Sequence, residues 1–251
     1  MTTLAFDRLV AVIALATLAA QAMLGPRGSA IAHGAIVVFA VIVAVFAVLV
    51  PASSPAASIA CAVACLVVST RTGLPWQAAM ALAFALYWLL GRFFPCVRPP
   101  LPRRGHVPIG WTLLVAGVTP LGLSGWLFVM KPDLHDIVDA LPKVSLPVLV
   151  LGAVGFAIVN ATLEEIFWRG VVQARLEPLF GVRGAILLQA VSFGLQHAWG
   201  FPRGFVGVVL AGGWALMLGA LRWRARGLFA PILAHVVADA TIAALLLGVL
   251  R

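Results

Sequence analysis

Acidic side chains are scarce in this sequence: its 251 residues contain 8 Asp plus Glu, against 17 Lys plus Arg and 5 His. Charged residues make up 10% of the chain and hydrophobic residues 63%, whereas a soluble domain has about a quarter charged residues. This composition excludes an ordinary soluble globular protein. The cysteines Cys61, Cys65 and Cys96 follow no zinc or disulfide spacing, so they indicate neither a metal finger nor a disulfide framework.

Long apolar runs with only short breaks recur along the whole chain. Many of these runs approach the length of ~20 residues that a helix needs to cross a bilayer. The runs are continuous rather than alternating, and this pattern indicates helices instead of a membrane barrel. We therefore predict an all-α fold, a polytopic membrane helix bundle of about eight to nine transmembrane helices.

The net charge of +9 does not indicate a nucleic-acid partner, because the arginines lie in short segments between the apolar runs. Three such segments contain Arg92, Arg98, Arg103 and Arg104; Arg169, Arg175 and Arg183; and Arg222, Arg224 and Arg226. Clusters of this kind are typical of cytoplasmic loops under the positive-inside rule. We interpret them as topology signals of a multi-pass protein whose main partner is the lipid bilayer.

The distribution of polar residues divides the chain near residue 105. In residues 1–105, His33 is the one ionisable residue inside an apolar run, and the stretch "PCVRPPLPRR" that follows is typical of a linker. Residues 106–251 contain nearly all the other polar groups that lie within apolar sequence. We predict an N-terminal transmembrane extension of about four helices in residues 1–105 and the functional core in residues 106–251.

An adjacent pair of carboxylates follows the apolar run "LPVLVLGAVGFAIVNAT". Ionisable residues within a membrane span cost about 2.5–3.5 kcal/mol each, so they indicate function. On a helix, Glu165 lies at i, i+4 from Arg169, whereas Glu164 lies one turn beyond Asn160 on a different face. We predict a structural ion pair between Glu165 and Arg169, which leaves Glu164 available as a general base.

Two histidines lie in further apolar runs, His197 in "FGLQHAWG" and His235 in "LAHVVADA". Each shares a helix face with a residue four positions away, namely Phe193 for His197 and Asp239 for His235. A single histidine in a helix is commonly a packing residue, but two of them together with carboxylates in three apolar runs indicate a site.

The residue types alone permit several functions. A glutamate can activate water for peptide hydrolysis while imidazoles stabilise the oxyanion and protonate the leaving amine. Glu, His and Asp side chains also form proton relays in transporters. Zinc is a third possibility, although the H-E-x-x-H motif is absent, and so is the G-x-S-x-G motif of serine hydrolases. A non-catalytic membrane immunity or scaffold protein remains a fourth.

Three motifs in order give the sequence a family resemblance. "EEIFWRG" matches E-E-x-x-x-R, "FGLQH" matches F-x-x-x-H, and "HVVAD" stands in the place of H-x-x-x-N. Over roughly residues 145–251, the chain resembles the CAAX protease and bacteriocin-processing family, also called Abi or Rce1-like intramembrane proteases. The resemblance implies an all-helical intramembrane endopeptidase of a prokaryotic cytoplasmic (inner) membrane. Its implied substrate is a protein or peptide with a membrane-embedded or C-terminal tail segment.

The resemblance also implies roles for the motif residues. Glu164 is the base for the catalytic water, Glu165 and Arg169 are structural, and His197 and His235 bind water or the oxyanion. Phe193 is expected to support His197. The family has been described both as metalloproteases and as glutamic proteases, and we expect the glutamic type without a cofactor, with zinc as the alternative.

Asp239 departs from the family pattern, which has asparagine at this position. An aspartate accepts hydrogen bonds but donates none unless it is protonated, so the donor role of an amide is in doubt here. An aspartate instead suits a partner that orients His235 or keeps it charged, or a metal ligand beside it. We predict that Asp239 is the charged partner of His235 and count it among the catalytic residues.

Overall fold

The computed structural model describes residues 3–50 and 54–249, and throughout these residues the regular structure is helical. The α-helices are α1 (Thr3–Leu24), α2 (Ala30–Leu49), α3 (Ser54–Ser69), α4 (Trp76–Phe93), α5 (Ile109–Met130), α6 (His135–Asp139), α7 (Leu146–Glu165), α8 (Ala174–Gln196), α9 (Gly204–Ala225) and α10 (Phe229–Val249). A π-helical segment, Ile166–Gln173, joins α7 to α8. The predicted all-α membrane bundle is confirmed.

Within residues 3–50 and 54–249, six helical runs are long and apolar enough to span a membrane by length and composition. This number is lower than the eight to nine spans predicted. One reason is that two apolar runs, the one before the adjacent glutamates and the one that contains "FGLQH", count as a single helical run, Leu146–Gln196, although its backbone is not helical at Gly181. Another is that the apolar helix α3 has 16 residues, fewer than the ~20 that a crossing takes.

The chain forms two compact units that alternate along the sequence. Unit 1 comprises Met1–Pro102 and Ile166–Gly219, and unit 2 comprises Arg103–Glu165 and Ala220–Arg251. Residues 166–219 therefore pack with the N-terminal helices in one unit. The predicted division into residues 1–105 and 106–251 was based on where polar residues lie in the sequence, not on which residues pack together. It stays a prediction about which part of the chain carries the function.

Helix α3 is central to unit 1, where it packs against α1, α2, α4 and α8. Many of its buried side chains are small, as at Ala56, Ala60 and Cys61. Small residues let helix backbones approach closely in a lipid environment, where apolar surface alone does not drive helices together. The Ser58 hydroxyl shares a buried hydrogen bond with the Tyr87 hydroxyl, which ties α3 to α4.

Helices α8 and α9 approach closely within unit 1 at glycines. A Cβ atom on Gly194 would lie 2.6 Å from the Val208 carbonyl oxygen and 3.0 Å from the Gly212 Cα atom. Since both neighbours are backbone atoms, a side chain at this position would require the helices to separate. The contact fixes the end of α8, three residues before His197.

Helix α10 packs against α5 and α7 in unit 2. The segment before α5 is hydrogen-bonded to the α9–α10 connection. The Leu228 N–H donates to the Arg103 carbonyl at 2.9 Å, and the Phe229 N–H donates to the Arg104 carbonyl at 3.1 Å. The end of the predicted linker is thus attached to the start of α10, the helix that carries His235.

Candidate active site

The adjacent glutamates lie at the end of α7, where the helical geometry changes. Glu165 is the last residue of α7, and Ile166–Gln173 form the π-helix. Glu165 is fully buried, whereas Glu164 retains partial exposure. π-helical turns within α-helices occur frequently at functional sites, because the extra residue redirects the side chains that follow.

The second arginine segment, which contains Arg169, was expected to form a loop between spans, and this expectation is wrong. The structure is helical from Leu146 through Arg169 and as far as Gly181. The chain bends at Gly181, whose φ of 69° and ψ of 170° are not helical. Arg169 is consequently buried within the helical run, with no exposed surface.

Four predicted site residues form one cluster in unit 2, in which three carboxylates surround the imidazole of His235. The Nδ1 atom of His235 lies 2.7 Å from Glu165 Oε1. Its Nε2 atom lies 3.7 Å from Glu164 Oε2 and 3.8 Å from Asp239 Oδ1. His235 and Asp239 are both buried. One buried histidine therefore has three carboxylates around it, contributed by α7 and α10.

The hydrogen bond to Glu165 determines which nitrogen of the His235 imidazole carries a hydrogen and where the other nitrogen points. A carboxylate only accepts, so His235 Nδ1–H is the donor, and Nε2 is directed toward Glu164 and Asp239. The distances from Nε2 exceed that of a direct hydrogen bond. Separations of this size suit groups that act on a shared water molecule.

Asn160 is a further member of this cluster that the sequence analysis left without a role. Its amide Nδ2 donates to Asp239 Oδ2 at 3.0 Å, and both side chains are buried. The bond leaves Asp239 Oδ1 directed toward His235. The sequence signal was an amide side chain in an apolar run, one helical turn before Glu164.

The remaining predicted residues form a stack in unit 1. The Arg169 guanidinium carbon lies 4.9 Å from the centre of the Phe193 ring, and the His197 ring centre lies 4.6 Å from it. The Trp168 and Trp214 rings also contact Phe193, with centroid distances of 5.6 and 6.3 Å. Phe193 thus contacts both Arg169 and His197, which confirms that Phe193 and His197 share a face.

A backbone hydrogen bond orients His197. Its Nδ1 lies 3.0 Å from the Phe193 carbonyl oxygen, and a carbonyl only accepts, so Nδ1–H is the donor. In the neutral imidazole the Nε2 atom then carries the lone pair. The His197 ring is partly exposed, unlike that of His235.

The structure gives each member of the predicted ion pair a partner that the sequence did not indicate. Glu165 bonds His235, which is 70 residues away in sequence, and Arg169 donates to the Ala215 carbonyl at 3.4 Å. Helical spacing identifies only neighbours three or four residues apart on one helix, so it could predict neither of these contacts. The ion pair between Glu165 and Arg169 stays a prediction.

Zinc was the alternative cofactor. Among residues 3–50 and 54–249, no group of three or more His, Cys, Asp or Glu side chains is arranged to hold a metal ion. His235 Nδ1 donates its hydrogen to Glu165, so this nitrogen has no lone pair to offer a metal. The Nε2 nitrogen, which faces Glu164 and Asp239, is the atom of this imidazole that could contact a metal, so the absence of a metal stays a prediction.

Residues 146–241 match the family model described as type II CAAX prenyl endopeptidase Rce1-like. The matched segment contains every residue that the sequence motifs assigned to the site. No curated protein and no solved structure matches the chain.

Proposed function

We propose, on the premise that residues 146–241 belong to the Rce1-like family, that this multi-pass membrane protein is an intramembrane endopeptidase using water activated by Glu164. The observation that carries the proposal is the cluster around His235. Glu165 holds its Nδ1 side, while Glu164 and Asp239 face its Nε2 side. A base, a fixed imidazole and a second carboxylate together can activate a water molecule and stabilise the oxyanion in peptide hydrolysis.

In the proposed reaction, Glu164 takes a proton from a water molecule as its oxygen attacks the peptide carbonyl carbon. The new C–O bond converts the carbonyl oxygen to an oxyanion, and His235 Nε2–H stabilises the developing charge by hydrogen bonding. The C–N bond then breaks, and the proton taken by Glu164 passes to the leaving amine. The products are a carboxylic acid, which contains the hydroxyl group of the water molecule, and an amine, which contains its other hydrogen.

The other residues of the cluster support His235 in this scheme. Glu165 fixes the ring orientation through the 2.7 Å bond to Nδ1. Asp239, held by Asn160, supplies negative charge near Nε2 and favours its protonated form. The role of His197, binding water or the oxyanion, rests on its F-x-x-x-H motif.

The proposed substrate is a protein or peptide with a membrane-embedded or C-terminal tail segment, and the proposed location is a prokaryotic cytoplasmic (inner) membrane. The chain has several helices apolar enough to lie in a bilayer. A peptide bond near or within that bilayer is the class of bond such a protein can reach. We propose that the reaction needs no metal cofactor.

Substitution of the base tests the proposal. Membranes from cells that produce the parent protein should contain new peptide termini, detectable by mass spectrometry, that are lost with Glu164→Gln. Removal of a general base typically lowers the rate by roughly 10²–10⁴. Glu177→Gln is the matched control, because Glu177 lies in α8 and contacts Gln173 rather than His235.

Two results would contradict the proposal. The same new termini could persist in Glu164→Gln, which would exclude Glu164 as the base. Alternatively, no new termini could arise with the parent protein present and folded in the membrane, and this result would favour the non-catalytic membrane protein.

A further inference from the structure

A bowl of about 960 Å³ opens at one end of unit 1. The ends of α1, α3 and α8 and the beginnings of α2 and α4 contribute its lining. Its volume lies within the range of roughly 300–1,000 Å³ that is usual for small-molecule sites. None of the residues of the His235 cluster lines this bowl.

The bowl contains buried polar atoms that lack hydrogen-bond partners. Gln21 Nε2 donates to the Thr70 hydroxyl at 2.5 Å, but Gln21 Oε1 has no partner in the described residues. The same is true of His33 Nδ1. Buried polar groups are normally satisfied, so Gln21 Oε1 and His33 Nδ1 are available to form hydrogen bonds with hydroxyl groups of a ligand in the bowl.

The charge of the bowl favours an anion. Arg71 lines it, and Arg27 lies over the ring of the lining residue Trp199, with 5.0 Å between the guanidinium carbon and the ring centre. Among the described residues that line the bowl, none is Asp or Glu. Arginine is well suited to a phosphate group, because its planar guanidinium donates two parallel hydrogen bonds.

An apolar groove of about 370 Å³ lies further along α2. Val37 and Val38 line the bowl, and Val41, less than one helical turn further, begins the groove, which extends to Leu49. From Val41 to Leu49 the helix rises ~12 Å. This length approaches the ~15 Å hydrocarbon depth of one leaflet, half of a ~30 Å core.

We infer that unit 1 binds a phospholipid whose headgroup carries a phosphate and free hydroxyls, with the headgroup in the bowl and an acyl chain in the groove along α2. Arg71 binds the phosphate, while Gln21 Oε1 and His33 Nδ1 bind the hydroxyls. The adjoining apolar groove favours a lipid over a soluble phosphate ester. Phosphatidylglycerol has these groups, whereas phosphatidylcholine has the phosphate but no hydroxyl donor.

Native mass spectrometry of the full chain in detergent tests this inference. The protein is titrated with phosphatidylglycerol, with phosphatidylcholine of the same acyl chains, and with soluble glycerol 3-phosphate as a competitor. We expect phosphatidylglycerol to bind at least about fivefold more tightly than phosphatidylcholine, and glycerol 3-phosphate not to displace it. Arg71→Gln should weaken phosphatidylglycerol binding about fivefold, because one basic contact is lost.

Two further variants separate the headgroup from the chain. Ala64→Phe fills the groove and should weaken both lipids equally. Arg92→Gln removes the same charge from an exposed position at the other end of α4, so it should bind phosphatidylglycerol like the parent.

Equal binding of the two lipids by the parent, or undiminished phosphatidylglycerol binding by Arg71→Gln, would overturn the inference. Displacement of the lipid by glycerol 3-phosphate would assign the bowl to a soluble phosphate ester instead. None of these measurements involves proteolysis, so their outcome is independent of the proposed endopeptidase activity.

Discussion

Asp239 and Asn160 form a carboxylate–amide pair, and exchanging the two side chains separates their structural and chemical roles. The bond from Asn160 Nδ2 to Asp239 Oδ2 is 3.0 Å long. Asn160→Asp alone places two carboxylates together and should lower the melting temperature. The double variant Asn160→Asp, Asp239→Asn restores one donor and one acceptor, so its melting temperature should recover.

The activity of the double variant should nevertheless stay low. The exchange moves the negative charge away from Asp239 Oδ1, 3.8 Å from His235 Nε2, and a loss of about 10²-fold is expected when the group that stabilises the oxyanion is weakened. Thermal melting and cleavage of one substrate give the two readouts. Parent-like activity in Asp239→Asn or in the double variant would return position 239 to the amide donor role of the family.

Glu164 and Glu165 are neighbours in sequence, but their burial predicts different effects on stability. Glu165 is fully buried and bonds His235, so Glu165→Ala leaves a buried imidazole without this partner, and breaking a buried ion pair costs about 3–5 kcal/mol. Glu164→Ala should reduce the melting temperature in detergent much less, because this side chain is partly exposed. Equal melting temperatures for the two variants would show that the structural and catalytic roles are not divided in this way.

For single residues, the sequence indicated the members of the site more successfully than it indicated their contacts with one another. Spacing of four residues correctly placed Phe193 and His197 together. The bond between Glu165 and His235 joins positions 70 residues apart, and the bond between Asn160 and Asp239 joins positions 79 apart. Contacts between distant helices depend on packing, which no local periodicity reports.

The contact between α8 and α9 is sensitive to an added side chain. Gly194→Ala would bring a Cβ atom to 2.6 Å from the Val208 carbonyl oxygen. Overpacking of this kind typically costs about 1–3 kcal/mol, so the melting temperature in detergent should fall, and His197 should be displaced.

Gly213→Ala is the matched control for this prediction. Gly213 lies on α9, and a Cβ atom there would meet nothing within 4 Å. Alanine at an open helical position is favourable by about 0.5–1 kcal/mol relative to glycine. A Gly194→Ala variant as stable as Gly213→Ala would show that the helices separate without cost.

Helix class and approximate helix positions were predictable, because apolar composition over ~20 residues is a strong signal. The arrangement of the second arginine segment was not. Arginines between apolar runs were interpreted as a loop, whereas the helix continues through Arg169 and bends at Gly181. Arginines between apolar runs indicate that a membrane boundary is near, but they do not indicate whether the backbone remains helical there.

For the whole molecule, metal dependence distinguishes the proposed mechanism from its alternative. If the protein acts without a metal, chelators should leave substrate cleavage unchanged, and the purified protein should contain far less than one equivalent of zinc. A metal-dependent enzyme loses activity on chelation and regains it when the metal is restored. Metal analysis of the parent and of Asp239→Asn, alongside the chelation assay, provides the measurement.

The attachment of residues 103–104 to the start of α10 means that the segment matching the family model is not a separate structural module. The first N–H groups of a helix lack partners within it, and here the first N–H group of α10, that of Phe229, donates to the Arg104 carbonyl, while the preceding Leu228 N–H donates to the Arg103 carbonyl. The family match begins only at residue 146. A helix inside the matched segment is therefore completed by backbone outside it, so the boundary of sequence similarity is not a boundary of structural independence.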